Sequence, residues 1–178
     1  MKMLVVVDYQ KDFVDGALGF PGAEKLDAGI AAKIRAYAKE GHCIVQTMDT
    51  HHPDYLNTRE GKHLPVLHCI AGSEGWKTYG ETAKALEEVG FMQIDKATFP
   101  VHPAQMMELM TWLEGEEITE IEFVGLVSNI CVISNICVFQ GAFPNAQILV
   151  DKNLIASFDP KAHAAVLEVM AGLQVNFI

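Results

Sequence analysis

Apolar residues along this chain follow two periods. Six short stretches are apolar throughout or nearly so: residues 3–7 (MLVVV), 43–48 (CIVQTM), 91–95 (FMQID), 121–126 (IEFVGL), 147–151 (QILVD) and 174–178 (QVNFI). Runs this short and this apolar read as strands buried on both faces, which calls for a parallel sheet covered by helices. Between them the spacing changes to three and four residues. Leu26, Ile30, Ile34 and Tyr37 form one stripe, and Gly41 suits its stop. Residues 102–115 begin with Pro103 at a first helical position and carry Met106, Met107, Met110 and Leu113, a stripe expected to face the core. Residues 158–172 open with Asp159 as N-cap and Pro160 after it. Strand and helix alternate to the end. The expected fold is therefore α/β, a three-layer α/β/α sandwich on a mostly parallel six-stranded sheet, with right-handed crossovers. Only residues 51–79 break the rhythm. They are long, polar and dotted with Gly and Pro, and a loop of that length in a compact domain is usually functional.

Composition narrows the classes. The 178 residues are 50% hydrophobic and 20% charged, which suits one compact domain over residues 1–178 and argues against disorder. A net charge of −10 argues against nucleic acid and against anionic membrane surfaces as partners. No apolar run approaches the roughly 18 residues of a membrane span, and the N-terminal apolar stretch is too short for a secretory signal. The expected location is cytoplasmic. There the four cysteines are expected to be reduced, and none forms the CxxC pair of a zinc ribbon or redox site.

In open α/β sheets, ligands bind beyond the carboxyl ends of the strands. Four consecutive strands here end in chemically able residues: Asp8, then Asp49 with His51, then Lys96, then Cys131. Any one of them has an ordinary reading, as a turn residue or a solvated lysine. If the strands are neighbours, all four converge in one crevice. The tetrapeptide SNIC occurs twice, ending in Cys131 and Cys137. Cys131 lies at the expected start of a helix, where unpaired N–H groups and the helix dipole lower a thiol pKa. Cys137 lies roughly 240° around that helix. With Ile136, Val138 and Phe139 beside it, it reads as a buried structural thiol.

These residues also carry a resemblance. "VVVDYQKDF" is similar to the D-x-Q-x-D-F opening of the isochorismatase-like cysteine hydrolases. "MDTHHPDY" resembles their D-x-H metal segment, and "HCIAGSEGW" the H-C-x-x-G-x-x-G segment of the nicotinamidase branch. "DKATFP" resembles the lysine segment, and "GLVSNICV" the nucleophile segment G-x-x-T-D-x-C-V. Five motifs in family order span essentially the whole chain. The resemblance implies a Rossmann-like sheet, a triad of Cys131 as nucleophile, Asp8 as base and Lys96 as its charged partner, and hydrolysis of a small amide through a thioester. It places an oxyanion site around Val127, Ser128 and Cys131, with a cis peptide at Val127–Ser128. It also implies a divalent metal, zinc first, on Asp49, His51 and His68, which in nicotinamidases orients the substrate through its pyridine nitrogen. His52 and His63 lie near enough in sequence to substitute. Homo-oligomers are common in the family, and an apolar surface on the helix near residues 103–113 would serve.

The chain departs from the pattern in places. Nicotinamidases usually carry an aromatic residue, often Trp, shortly before the histidine matching His68; here the segment is "HLPVLHC". Phe13 and Trp76 remain as candidates to face a substrate ring. Ser128 and Asn129 stand where Thr and Asp are common. Alternatives therefore stay open: another small amide or carbamoyl compound on the same triad, an isochorismatase-type vinyl-ether hydrolase, or a non-catalytic binding protein. The last has no use for Asp8, Lys96 and Cys131 together, and the vinyl-ether hydrolase none for the metal set.

Overall fold

The structure, a computed structural model, describes residues 1–178. Its strands are β1 (Lys2–Val7), β2 (Cys43–Asp49), β3 (Met92–Lys96), β4 (Glu120–Leu126), β5 (Gln147–Ala156) and β6 (Asn176–Phe177). They form one six-stranded sheet in the order β3-β2-β1-β4-β5-β6. Every pairing is parallel. The helices are α1 (Lys11–Val14), α2 (Asp27–Lys39), α3 (Arg59–His63), α4 (Gly80–Glu87), α5 (Pro103–Trp112), α6 (Ile133–Ala142) and α7 (Pro160–Gly172).

The continuous apolar runs are explained by burial on both faces. Successive side chains of a strand point to opposite faces. In β1, Leu4 and Val6 join α1, α2 and α4 on one side, while Met3, Val5 and Val7 join α5, α6 and α7 on the other. The chain order reverses direction between β1 and β4, so the switch point falls beyond their carboxyl ends. Gly125 lets those two strands approach. Its φ is +114°, and a Cβ there would lie 2.1 Å from the carbonyl oxygen of Val7, so no other residue fits.

Three expectations change. On α5, Met106, Leu109 and Leu113 are buried, but Met107 and Met110 are 69% and 47% exposed. Positions 106, 109 and 113 share the inner face at three- and four-residue steps; 107 and 110 share the outer one. Cys137 is exposed rather than buried. The rotation from Cys131 carries it past the buried Ile136 and Phe139 onto the outer side of α6. The last strand is two residues long because Gln174, at φ +64°, still belongs to the turn after α7. No helix is long and apolar enough to cross a membrane.

Candidate active site and metal cluster

The order β3-β2-β1-β4 makes the four chemically able strand ends true neighbours. Asp8 follows β1 directly, at φ +45°, a left-handed conformation that Asp tolerates better than most residues. Its Oδ1 accepts a 2.6 Å hydrogen bond from Thr47 Oγ1 on β2. Lys96, the last residue of β3, points its Nζ to within 2.6 Å of Asp8 Oδ2 and 3.6 Å of Asp49 Oδ1. The same Nζ lies 3.9 Å from Cys131 Sγ. All three side chains are buried.

Burial fixes the electrostatics. It pushes the Asp8 carboxyl up, and Lys96 is the main force pulling it back. It opposes the Lys96 charge, but the Asp8 and Asp49 carboxylates outweigh it and hold the ammonium protonated. The Cys131 thiol is driven well above its ordinary value by burial; Lys96 lowers it, while Asp8 and Asp49 raise it further. The helix-start argument therefore loses here. Loss of water around the sulfur outweighs the ammonium and the end of the helix, so the resting sulfur is a thiol beside a carboxylate.

The turn that presents Cys131 is a π-turn over Ser128–Val132, running into α6. The cis peptide is Leu126–Val127, one residue earlier than the motif match placed it. The break comes directly after Leu126, the last residue of β4, rather than inside the turn. Ser128 is fully buried, with its Oγ 2.8 Å from Nδ1 of His163 on α7. Asn135, in the second SNIC copy, is also fully buried. It donates through Nδ2 to the carbonyls of Cys131 (2.8 Å) and Phe99 (3.1 Å), and accepts from the Val101 N–H (2.9 Å). It thus fastens the turn that carries Cys131 to the segment that follows Lys96.

A second cluster adjoins the first. Ligand atoms of Asp49, His51, His68 and Glu60 all lie within 4.8 Å of one another. Asp49 Oδ2 is 3.0 Å from His51 Nε2 and 3.3 Å from His68 Nε2. Glu60 Oε1 is 3.6 Å from His51 Nε2. Two donors each about 2.1 Å from one ion sit roughly 3–4 Å apart, so this set fits a divalent metal such as zinc. The Nδ1 of His68 is held by the Val66 carbonyl at 2.8 Å, which leaves Nε2 aimed at the cluster. Gln10 braces Asp49 by accepting from its N–H (2.7 Å) and donating to its carbonyl (2.9 Å). Burial works against a charge on His51, yet the hydrogen bond to Asp49 and the nearby Glu60 carboxylate push it up to about 9. Asp49 feels the same burial, and the two histidines with Lys96 hold it well below the usual carboxylate range.

Glu60 was not legible beforehand. It is one acid among many polar residues in the long loop, and only the fold of α3 brings it to the histidines. His52 is exposed and lies outside the cluster. His63 stands on the rim of the adjoining cavity, its Nδ1 2.8 Å from the Arg59 carbonyl. Phe13 lines that cavity, but Trp76 does not. The Trp76 indole donates to Thr50 Oγ1 at 2.9 Å, which turns the ring toward the α2 side of the core.

A buried cysteine beside a base and an ammonium, at the switch point of a parallel sheet, defines the class of this protein: a hydrolase of the α/β sandwich type. The Isochorismatase domain model matches residues 2–178, and the chain belongs to that family. A curated relative, the nicotinamidase/pyrazinamidase of Mycobacterium tuberculosis, is 26% identical over 148 residues, covering 74% of this chain and 75% of its own. The crystal structure of the nicotinamidase/pyrazinamidase of Bacillus subtilis is 28% identical, with TM-score 0.82, over 99% of this chain and 100% of that one. The pyrazinamidase of Pyrococcus horikoshii, crystallised in complex with zinc, shares the fold at 21% identity and TM-score 0.82, over 99% and 98% of the two chains.

Proposed function

We propose that this chain is a metal-containing cysteine amidohydrolase of the nicotinamidase-like group, releasing ammonia from a small amide. The observation that carries the reading is the Lys96 ammonium, 2.6 Å from Asp8 Oδ2 and 3.9 Å from Cys131 Sγ, with all three groups out of water. Asp8 takes the thiol proton as sulfur attacks the amide carbonyl and an S–C bond forms. Lys96 compensates the charge left in the site. The tetrahedral oxyanion is met by backbone N–H groups of the turn at Val127–Cys131, and Ser128 braces that turn through His163. The C–N bond then breaks, Asp8 returns the proton to nitrogen, and ammonia leaves. A water adds to the thioester, Asp8 again holding its proton, and the acid departs as the thiol re-forms.

Asp49, His51 and His68, with Glu60 beside them, would hold a divalent metal, zinc first. Such an ion supplies a Lewis-acidic contact that orients a substrate heteroatom. A different small amide or a carbamoyl compound is the second reading. It is favoured by the aliphatic segment Leu64–Leu67, where an aromatic would be expected before His68.

The test is an ammonia-release screen over small amides, nicotinamide first, with and without chelator, on the wild type and Cys131→Ala. The variant should lose turnover entirely while its circular dichroism stays native. Substantial ammonia release by Cys131→Ala would remove the reading.

A further inference from the structure

The cavity over Cys131 is larger and more apolar than a single-ring amide requires. Its volume is about 700 Å³. Cavities of about 300–1,000 Å³ enclose most of a drug-sized ligand, and on the order of twenty waters would occupy this one at their liquid volume. Nicotinamide would take the space of only a few of them.

The lining runs from polar at depth to apolar along the walls. Cys131, Asp49 and His68 are all buried at its inner end. The apolar walls are Phe13, Leu18, Phe99, Ile130, Leu64 and Phe158, of which Leu64 and Phe158 reach the surface. Phe158 is 59% exposed, and its ring meets Phe20 edge to face at 6.3 Å. An aromatic left in water over a cavity is surface that a ligand covers with gain. Arg59 and His63, both exposed, add polar groups to the same lining. In place of a stacking ring before His68 the chain offers Leu64, Pro65, Val66 and Leu67. Of these only Leu64 lines the cavity, and with Leu18 and Ile130 it offers aliphatic walls that suit length and apolar bulk as well as a ring.

We infer that the site is built for amides whose acyl group is an apolar body larger than one six-membered ring, with the carboxamide at Cys131 and the body along Phe99, Ile130 and Phe158. Arylalkyl and medium-chain acyl primary amides are the chemical class. The inference rests on the proposed amidohydrolase reading and specifies its substrate.

The experiment measures kcat/KM on the metal-replete protein for a graded set of primary amides. Nicotinamide and benzamide stand at one end; 3-phenylpropionamide, 4-phenylbutyramide, hexanamide and decanamide extend it. Extra methylenes in an apolar pocket give roughly 10- to 200-fold. The larger members should exceed nicotinamide by at least about tenfold, chiefly through KM. Phe158→Ala, a change at an exposed position that leaves the fold intact, should shrink that ratio several-fold. If nicotinamide or benzamide is turned over as well as the larger amides, the inference falls and the amidohydrolase reading stands. If the larger amides win but Phe158→Ala leaves the ratio unchanged, the assignment of the body to this cavity falls. Ammonia release from no amide of any size overturns both.

Discussion

At the residue scale the site turns on which group holds the proton. The sequence placed Cys131 at a helix start and suggested a lowered thiol pKa. Burial reverses the sign, and Asp8 and Asp49 raise the thiol further against the pull of Lys96. Replacing Asp8 with Asn should therefore separate two properties that usually travel together. Without the Asp8 charge, Lys96 acts on the sulfur less opposed, and Cys131 becomes a better thiolate. Iodoacetamide should label it faster at neutral pH, as followed by mass mapping that distinguishes it from the exposed Cys137. Ammonia release should drop by about 10²- to 10⁴-fold, because the proton acceptor is gone. Slower labelling with unchanged turnover would invert the assignment. The convergence of Asp8, Lys96 and Cys131 was legible because each lies at or shortly beyond the end of an apolar run. Their protonation states were not, since these depend on burial and on distances between residues far apart in the chain.

At the element scale the π-turn over Ser128–Val132 and its braces matter most. The two SNIC copies divide the labour: the first presents Cys131, and the second supplies Asn135 one helical turn later. Asn135 ties Cys131 to Phe99 and Val101, the segment that continues from Lys96. Asn135→Ala would leave the Val101 N–H buried and unpaired, at a cost of about 1–3 kcal/mol. A urea melt should show a lower midpoint, and kcat should fall more than KM rises, since Cys131 and Lys96 lose their common fastening. A stability loss with unchanged kcat would reduce Asn135 to a core residue. The repeat is plain in the sequence, and its cysteines are its chemically conspicuous residues. An asparagine inside an apolar helix is the better signal, because a buried amide needs partners. The sheet, by contrast, was legible almost strand for strand, since parallel pairing demands the continuous apolar runs that the chain displays. The α5 face was misjudged at Met107 and Met110 because methionine suits a core and tolerates a surface.

At the scale of the whole molecule, the candidate metal-binding group joins the sheet to the long loop. Asp49 ends β2, His51 follows it, Glu60 lies on α3 and His68 sits farther along the loop. The same loop carries Arg59, His63 and Leu64 at the cavity mouth. An ion held by all four groups would pin that mouth to the sheet as well as orient a substrate. A ligand that binds only the folded state stabilises it, by about 2.7 kcal/mol at a hundredfold excess over Kd. For a chain of this size that is a rise in Tm of about 5–10 °C. Chelator-treated protein titrated with zinc in a thermal-shift assay should show a rise of this order, and Glu60→Gln should need more zinc to reach it. Limited proteolysis should report the same event locally, with cleavage in residues 51–79 suppressed by zinc. A rise in Tm without protection of that loop would mean that the ion binds elsewhere, and the link between metal and cavity mouth would be lost.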